Sequence, residues 1–429
     1  MRARVREFLA LTRTPLGRGA IRRRFARRLW PVVRRLAGLY RRTLLRRTRV
    51  VVVVGSFGKT TTTRAVGAAL CGQQPRVRGN AFAAVSRAVF STRPGTEYAV
   101  FEVGIGRPGQ MAPYASMLRP DVVVVTSIGS EHRRSFPTLE DTREEKVEMV
   151  RALRPGGIAV LNGDDPHVRW MAGQTTARVV TFGFGPRNDV RAADHVLDWP
   201  EGTRFTLHAG GEIRPARVRL IGRHTLYAPL AAAAVAGALG RDLGEALAGL
   251  ERVSPPRHRL RPQRLENGAF LLCDELKSPL ETIEAALETL AQIPARRRIV
   301  VLGDVTEPPT VGVYRELGAS FAGSASIAVL VGQNGRRYSV GARRAGMPPA
   351  AILQAGESFR RAAALLPDDL GPGDVVLVKG RETQHLERIG LLLAGQRVGC
   401  ELVHCGEPAI RCERCPMLER GWGNRRSVR

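Results

Sequence analysis

The chain has 429 residues, six cysteines and a formal net charge of +28. That length leaves room for two or three domains with sizeable cores, and no apolar run reaches the roughly 20 residues that a membrane-spanning helix needs. The charge is uneven, because residues 1–49 hold 17 arginines against one acidic residue, Glu7, and supply +16 of the total. Only four of the 67 basic residues are lysine: Lys59, Lys146, Lys277 and Lys379. Arginine has taken nearly every place where a positive charge suffices. The retained lysines therefore mark positions where a compact primary amine matters, and all four are candidate site residues.

Within residues 1–49, Leu29, Val32, Val33, Leu36, Tyr40 and Leu44 recur at helical spacing among arginine pairs, with Pro31 suited to the first turn. The apolar core and small-residue cleavage site of a secretory leader are missing. A basic amphipathic segment of this kind is expected to meet an anionic membrane surface, an acidic partner or the protein's own body. Nucleic acid is disfavoured, because few aromatic residues interleave the arginines.

Residues Val50–Thr63 read VVVVVGSFGKTTTT, a buried strand followed by a glycine-rich turn and a helix start. Backbone N–H groups at Gly55, Ser56 and Gly58, the helix N-terminus and the Lys59 ammonium form a cradle for a polyphosphate, with Thr60 and Thr61 next to it. The Thr60 hydroxyl is placed to complete the shell of a bound Mg²⁺. Further short apolar runs, Tyr98–Val103, Asp121–Thr126, Ile158–Asn162 and Val179–Phe184, alternate with helical patterns such as Thr138–Leu153 and the alanine-rich Ala228–Leu239. That alternation predicts a mostly parallel α/β domain over 50–253. Glu102 ends one strand of this set and His132 follows another, both at the carboxyl ends where open parallel sheets bind ligands, and both are candidate metal ligands. Asp164 and Asp165 read as structural turn residues. Ser254–Arg264, with three prolines and four arginines, predicts a linker. Runs at Phe270–Cys273, Ile299–Leu302, Ile327–Val331 and Val375–Val378, with a helix over Leu280–Gln292, predict a smaller Rossmann-like domain over 265–395.

The blocks GSFGKTTTT, the Glu102 strand, the SEH loop with His132, Lys146 fourteen residues on, LNGDDP, PPRHRLRPQR and DVVLVKGRE resemble the Mur ligase family in order and spacing over about residues 50–395. Within it the nearest likeness is to the type that adds D-alanyl-D-alanine to a UDP-muramoyl tripeptide. The resemblance implies an ATP- and Mg²⁺-dependent ligase that turns a carboxylate into an acyl phosphate, which an amine then displaces. It implies metal ligation by Thr60, Glu102, His132 and a carbamylated Lys146. It also implies nucleotide contacts at Arg257 (or Arg259) and Asp274, a catalytic role for Lys277, and substrate-side roles for Asn80 and Lys379. The second domain is expected to close over the nucleotide.

Three features depart from the family pattern. Only the arginine-rich segment precedes the phosphate loop, where a UDP-sugar-binding domain is usual. Thr225 and Ala228 stand where asparagines near the adenine are usual, and the DELKSP loop replaces a longer acidic motif. A ligase for a non-peptidoglycan product, such as a poly-amino-acid or specialised metabolite, is therefore the alternative within the class. A membrane-docked P-loop ATPase without ligation is the alternative outside it. The expected setting is the cytoplasm, peripheral to the inner face of the membrane. In the tail, 396–429, Cys400, Cys405, Cys412 and Cys415 have C-x4-C and C-x2-C spacing beside His404. Structural Zn²⁺ is expected there ahead of reduced thiols or an iron–sulfur cluster, while Cys71 and Cys273 read as core residues.

Overall fold

The computed structural model describes residues 15–71, 79–308, 310–406, 411–423 and 425–428. It resolves into two compact units: Met1–Val196 with Arg204–Arg219 and Thr225–Ser254, and Leu197–Thr203 with Leu220–His224 and Pro255–Arg429.

The valine run forms β1 (Arg49–Val54), whose five valines are all fully buried. A strand apolar on both faces belongs in the middle of a parallel sheet covered on both sides. β2 (Tyr98–Glu102) and β3 (Val122–Val125) flank it in parallel register, and β4 (Ile158–Asn162) and β5 (Arg178–Gly183) extend the sheet beyond β3. The strand order β2-β1-β3 makes the carboxyl end of β1 a topological switch point, where open sheets leave a crevice for ligands. Three more strands, β6 (Val190–Asp198), β7 (Gly202–Ala209) and β8 (Glu212–Val218), complete the eight-stranded sheet. The apolar-run reading missed them because buried and exposed positions alternate along them.

Four helices concern the site and its surroundings. They are α1 (Pro15–Thr43), α2 (Lys59–Cys71), α3 (Leu139–Arg151) and α4 (Tyr227–Ala238). Six of the seven alanines of α4 are buried and let it approach α2 closely. A capping box between Thr138 and Asp141 fixes the start of α3. α1 begins sixteen residues before Pro31, so that proline lies inside the helix and not in its first turn. Helix-forming residues on both sides, and Trp30 packed against Phe82 and Tyr114, hold the helix through the defect.

The second unit is built on a six-stranded sheet. Its strands are β9 (Arg261–Arg264), β10 (Phe270–Asp274), β11 (Arg297–Leu302), β12 (Ile327–Val331), β13 (Ile352–Gly356) and β14 (Asp374–Lys379), in the order β13-β12-β11-β14-β10-β9. All neighbours are parallel except β9, which runs antiparallel to β10. The segment read as linker thus ends in an edge strand, where Pro262 costs nothing because its missing N–H would face solvent.

Candidate active site

The turn after β1 is shaped by backbone that only glycine tolerates. Gly55 has φ +144°, and a Cβ there would stand 2.0 Å from the Thr126 hydroxyl. Gly58, at φ +77°, then turns the chain into α2, whose first N–H groups lack intrahelical acceptors and can face an anion. Lys59 is buried and donates from Nζ to the carbonyls of Gly55 (2.8 Å) and Ser56 (2.7 Å), with Glu131 at 3.3 Å. Thr60 sits half-buried one residue into the helix.

Lys146 reaches the same loop from α3, in sequence 90 residues away. Its Nζ donates to Ser56 Oγ at 2.7 Å, and the side chain is 3% exposed. Ser56 Oγ in turn accepts from the Gly129 N–H at 2.8 Å, tying the β1 turn to the turn after β3. Burial, and then the neighbouring Lys59 ammonium, push the Lys146 amine down to about 7 against the opposing pull of Glu131 and Asp165. At neutral pH a large fraction of this lysine is therefore an uncharged amine.

Glu102, at the end of β2, is buried, and one of its carboxylate oxygens accepts from Asn80 Nδ2 at 2.8 Å. The other, Oε2, is buried without a hydrogen-bond partner, which is a costly arrangement for an anion unless a cation meets it. Asn80, expected on the substrate side, here positions that carboxylate. His132 follows β3 in the left-handed region, φ +66°, with its ring 3.9 Å from Glu131 and its side chain 38% exposed. The donor types available, a hydroxyl, a carboxylate and an imidazole on the loops around the phosphate turn, suit a hard divalent cation such as magnesium.

Sequence reasoning passed over Glu131, although it stands beside His132 in the same block. Asp165 was read as structural, and it does cap a short helix through the His167 and Val168 N–H groups; it also adds negative potential at Lys146. Asp164 accepts from Phe184, Gly185, Asn188 and Tyr227, a structural role as expected.

In the second unit, Lys379 and Asp274 stand at the carboxyl ends of paired strands and meet at 2.6 Å, both buried. Burial pushes Lys379 down and Asp274 up, and their contact opposes both shifts. Lys379 also donates to the Lys277 carbonyl at 2.8 Å, so two of the four lysines converge here as the other two do in the first unit. Of the two hinge arginines, Arg259 adds its charge to the Asp274–Lys379 pair, whereas Arg257 is ion-paired to Glu413. Burial and then Lys379 hold the His224 imidazole down at about 4, so it is neutral; no motif or spacing pointed to it.

The tail cysteines form no disulfides. They gather near His385, which precedes the first of them by fifteen residues, while the adjacent His404 is exposed.

Two family models match the chain, the Mur ligase middle domain over residues 53–236 and the Mur ligase glutamate ligase domain over 259–382. The UDP-N-acetylmuramoyl-tripeptide–D-alanyl-D-alanine ligase of Mycobacterium tuberculosis (strain ATCC 25618 / H37Rv) is 30% identical over 364 residues, 77% of this chain and 70% of that protein. The enzyme of the same name from Escherichia coli (strain K12) is 30% identical over 264 residues, 60% of this chain and 58% of that one. The chain thus spans between about half and three quarters of the length of these relatives. Among solved structures, MurF from Acinetobacter baumannii superposes with a TM-score of 0.77 at 24% identity, covering 86% of this chain and 81% of the other. The MurF ligase of Thermotoga maritima, in complex with ADP, gives 0.74 at 21%, covering 86% and 84%. A buried lysine beside a phosphate loop, the two-unit α/β plan and these matches agree: the chain belongs to the Mur ligase family.

Proposed function

We propose that the protein is an ATP-dependent carboxylate–amine ligase that acts through an acyl phosphate. A substrate carboxylate oxygen attacks the γ-phosphorus and ADP leaves. The amine then attacks the acyl carbon, phosphate leaves, and the amine proton passes to a base. Phosphoryl transfer of this kind depends on alignment and charge neutralisation more than on covalent help from the protein. Lys59 and the N-terminus of α2 are assigned to the polyphosphate, together with Gly55, Ser56, Gly58, Thr60 and Thr61. Thr60, Glu102, His132 and Lys146 are the residues that would hold magnesium, which when bound neutralises phosphate charge. In the second unit, Asp274, Lys277 and Lys379, with Arg257 or Arg259, are assigned to ligand contacts.

The observation that carries this reading is Lys146: buried in α3, bonded to Ser56 of the turn after β1 and lowered to about 7, its neutral amine can add to CO₂. A new N–C bond forms as one C=O π bond of CO₂ opens, the nitrogen gives up one proton, and the neutral amine becomes a carbamate anion with oxygens suited to magnesium. An arginine cannot follow this course, because a guanidinium is never neutral in a protein. The names of the relatives support D-alanyl-D-alanine as the amine and a UDP-muramoyl tripeptide as the acid, and with them a reaction of peptidoglycan precursor synthesis. None of the described helices is long and apolar enough to cross a membrane, and we place the enzyme in the cytoplasm, where nucleotide substrates and reduced cysteines coexist.

The test is ADP release measured with panels of carboxylates and of amino acids or dipeptides. Turnover that requires one of each supports the proposal, and stimulation by D-alanyl-D-alanine with the muramoyl tripeptide fixes the substrates. ATP hydrolysis indifferent to amines overturns ligation.

A further inference from the structure

We propose that His385, Cys405, Cys412 and Cys415 form a structural Zn²⁺ site that fastens the tail to the second unit. His385 is 1% exposed and adopts the left-handed backbone, φ +50°, at the end of a short turn after β14. Its Nδ1 pairs with Glu387 Oε1 at 2.7 Å, whereas its Nε2 is buried without a hydrogen-bond partner. A thiol and a carboxylate gathered with a buried imidazole nitrogen present the donor types of a transition-metal site. The donor atoms of His385, Glu387 and Cys412 lie within 4.8 Å of one another, and Cys412 Sγ is 3.5 Å from His385 Nδ1, the nitrogen that also meets Glu387. The Cys405 thiol also engages the His385 side chain, and Cys415 is within electrostatic reach of Cys400, Cys405 and His385.

The local backbone suits this. Cys412–Arg414 is a single tight turn in which the Cys415 N–H donates to the Cys412 carbonyl at 3.0 Å, which brings the two ends of C-x2-C together. Glu387 stands on the same side of the ring, with its other oxygen buried and without a hydrogen-bond partner. Cys400, part of the set expected from spacing alone, instead takes an N–H from buried Arg388 at 3.8 Å. Three thiolates and one imidazole favour zinc over the harder cations of the phosphate site.

The test uses the full chain purified without chelator under reducing conditions. The site predicts one tightly held zinc per chain, released stoichiometrically by a thiol-blocking mercurial, and strong tetrahedral thiolate bands when Co²⁺ replaces it. His385→Gln and Cys412→Ser should each lose the metal, while Cys400→Ser keeps it. Because these variants can also misfold, the wild-type metal content decides first. No stoichiometric zinc, or iron in its place, overturns the proposal. Zinc lost in Cys400→Ser and kept in His385→Gln overturns the ligand assignment.

A separate observation concerns α1. Phe25, Leu29, Val32, Leu36 and Leu39 are each 52–59% exposed, and their alternating spacing of four and three lines them along one face. The opposite face is fixed to the first unit, where buried Arg41 donates to the Leu118 carbonyl at 3.0 Å and to Asp121 at 2.8 Å. Exposed Arg28, Arg35 and Arg42 run along one side of the apolar stripe. We infer that this face docks on an anionic lipid surface. The alternative occupant, a second copy of the helix, brings no carboxylate to these arginines, because Glu7 is the only acid in residues 1–49. A bilayer accepts the stripe and its anionic headgroups meet the arginines.

Flotation of the full chain with vesicles of phosphatidylcholine alone, or mixed with phosphatidylglycerol, tests this. Binding is expected only with the anionic lipid, to weaken several-fold as salt rises, and to be lost in the double variant Leu29→Asp with Leu36→Asp. Those side chains are exposed, so ATP turnover should persist in the variant. Equal binding to neutral vesicles, or no binding together with dimers in solution, overturns the inference.

Discussion

Two buried lysines, one in each unit, reach loops where parallel strands end, Lys146 from within α3 and Lys379 from the end of β14, and their surroundings differ. Lys379 meets Asp274 at 2.6 Å, and the pair keeps its charges by cancelling them. Lys146 meets a serine hydroxyl, with a second lysine as its strongest electrostatic neighbour, and the amine falls to about 7. Burial is the same in both. What differs is whether a carboxylate is in contact, and that decides whether the lysine is a fixed cation or a nucleophilic amine.

Substitution separates the two most sharply. Lys146→Arg keeps a positive charge but cannot be carbamylated, so it should lower ligation by about 100- to 1,000-fold, the usual cost of removing one preorganised electrostatic group. Initial rates of ADP release at saturating substrates measure it, and near wild-type rates would show that charge alone suffices. Lys379→Ala tests the other lysine through stability. It leaves the Asp274 carboxylate buried and unpaired, and urea unfolding should show a loss of about 3–5 kcal/mol. Lys146→Ala should cost clearly less, because it strands no buried anion in direct contact.

The pH dependence distinguishes them further. The folded pKa of Lys146 lies below its unfolded value, so between about 7 and the ordinary lysine range the unfolded chain binds more protons. Stability must then rise with pH across that window. Comparing urea midpoints of wild type and Lys146→Met from pH 7 to 10 should show this increment in the wild type and its absence in the variant. The smallest effect is expected from Glu131→Gln. Glu131 raises the Lys146 pKa, so its neutralisation should move the midpoint of CO₂ uptake to lower pH, with no change in the fold. A midpoint that moves up would mean that Glu131 acts on Lys146 in another way.

The same contrast explains what could be read from the sequence. Apolar β-branched runs gave the central strands almost to the residue, because strands buried on both faces admit little else. The lysines were visible because arginine had replaced lysine nearly everywhere. What distinguishes Lys146 from Lys379 was not visible, since it depends on partners 90 and 105 residues away in sequence, Ser56 and Asp274. Glu131 was hidden beside His132, and His385 lay outside the cysteine spacing that drew attention to the tail. β6 to β8 escaped because half their surface is wet, and β9 because arginines and a proline look like a linker until an edge strand accommodates them.

Carbon-13 NMR of the full chain in ¹³C-bicarbonate tests the state of Lys146 most directly. The account predicts a carbamate resonance at neutral pH that disappears in Lys146→Arg and persists in Lys379→Arg. A wild-type protein that ligates an acid to an amine with no such resonance would contradict it.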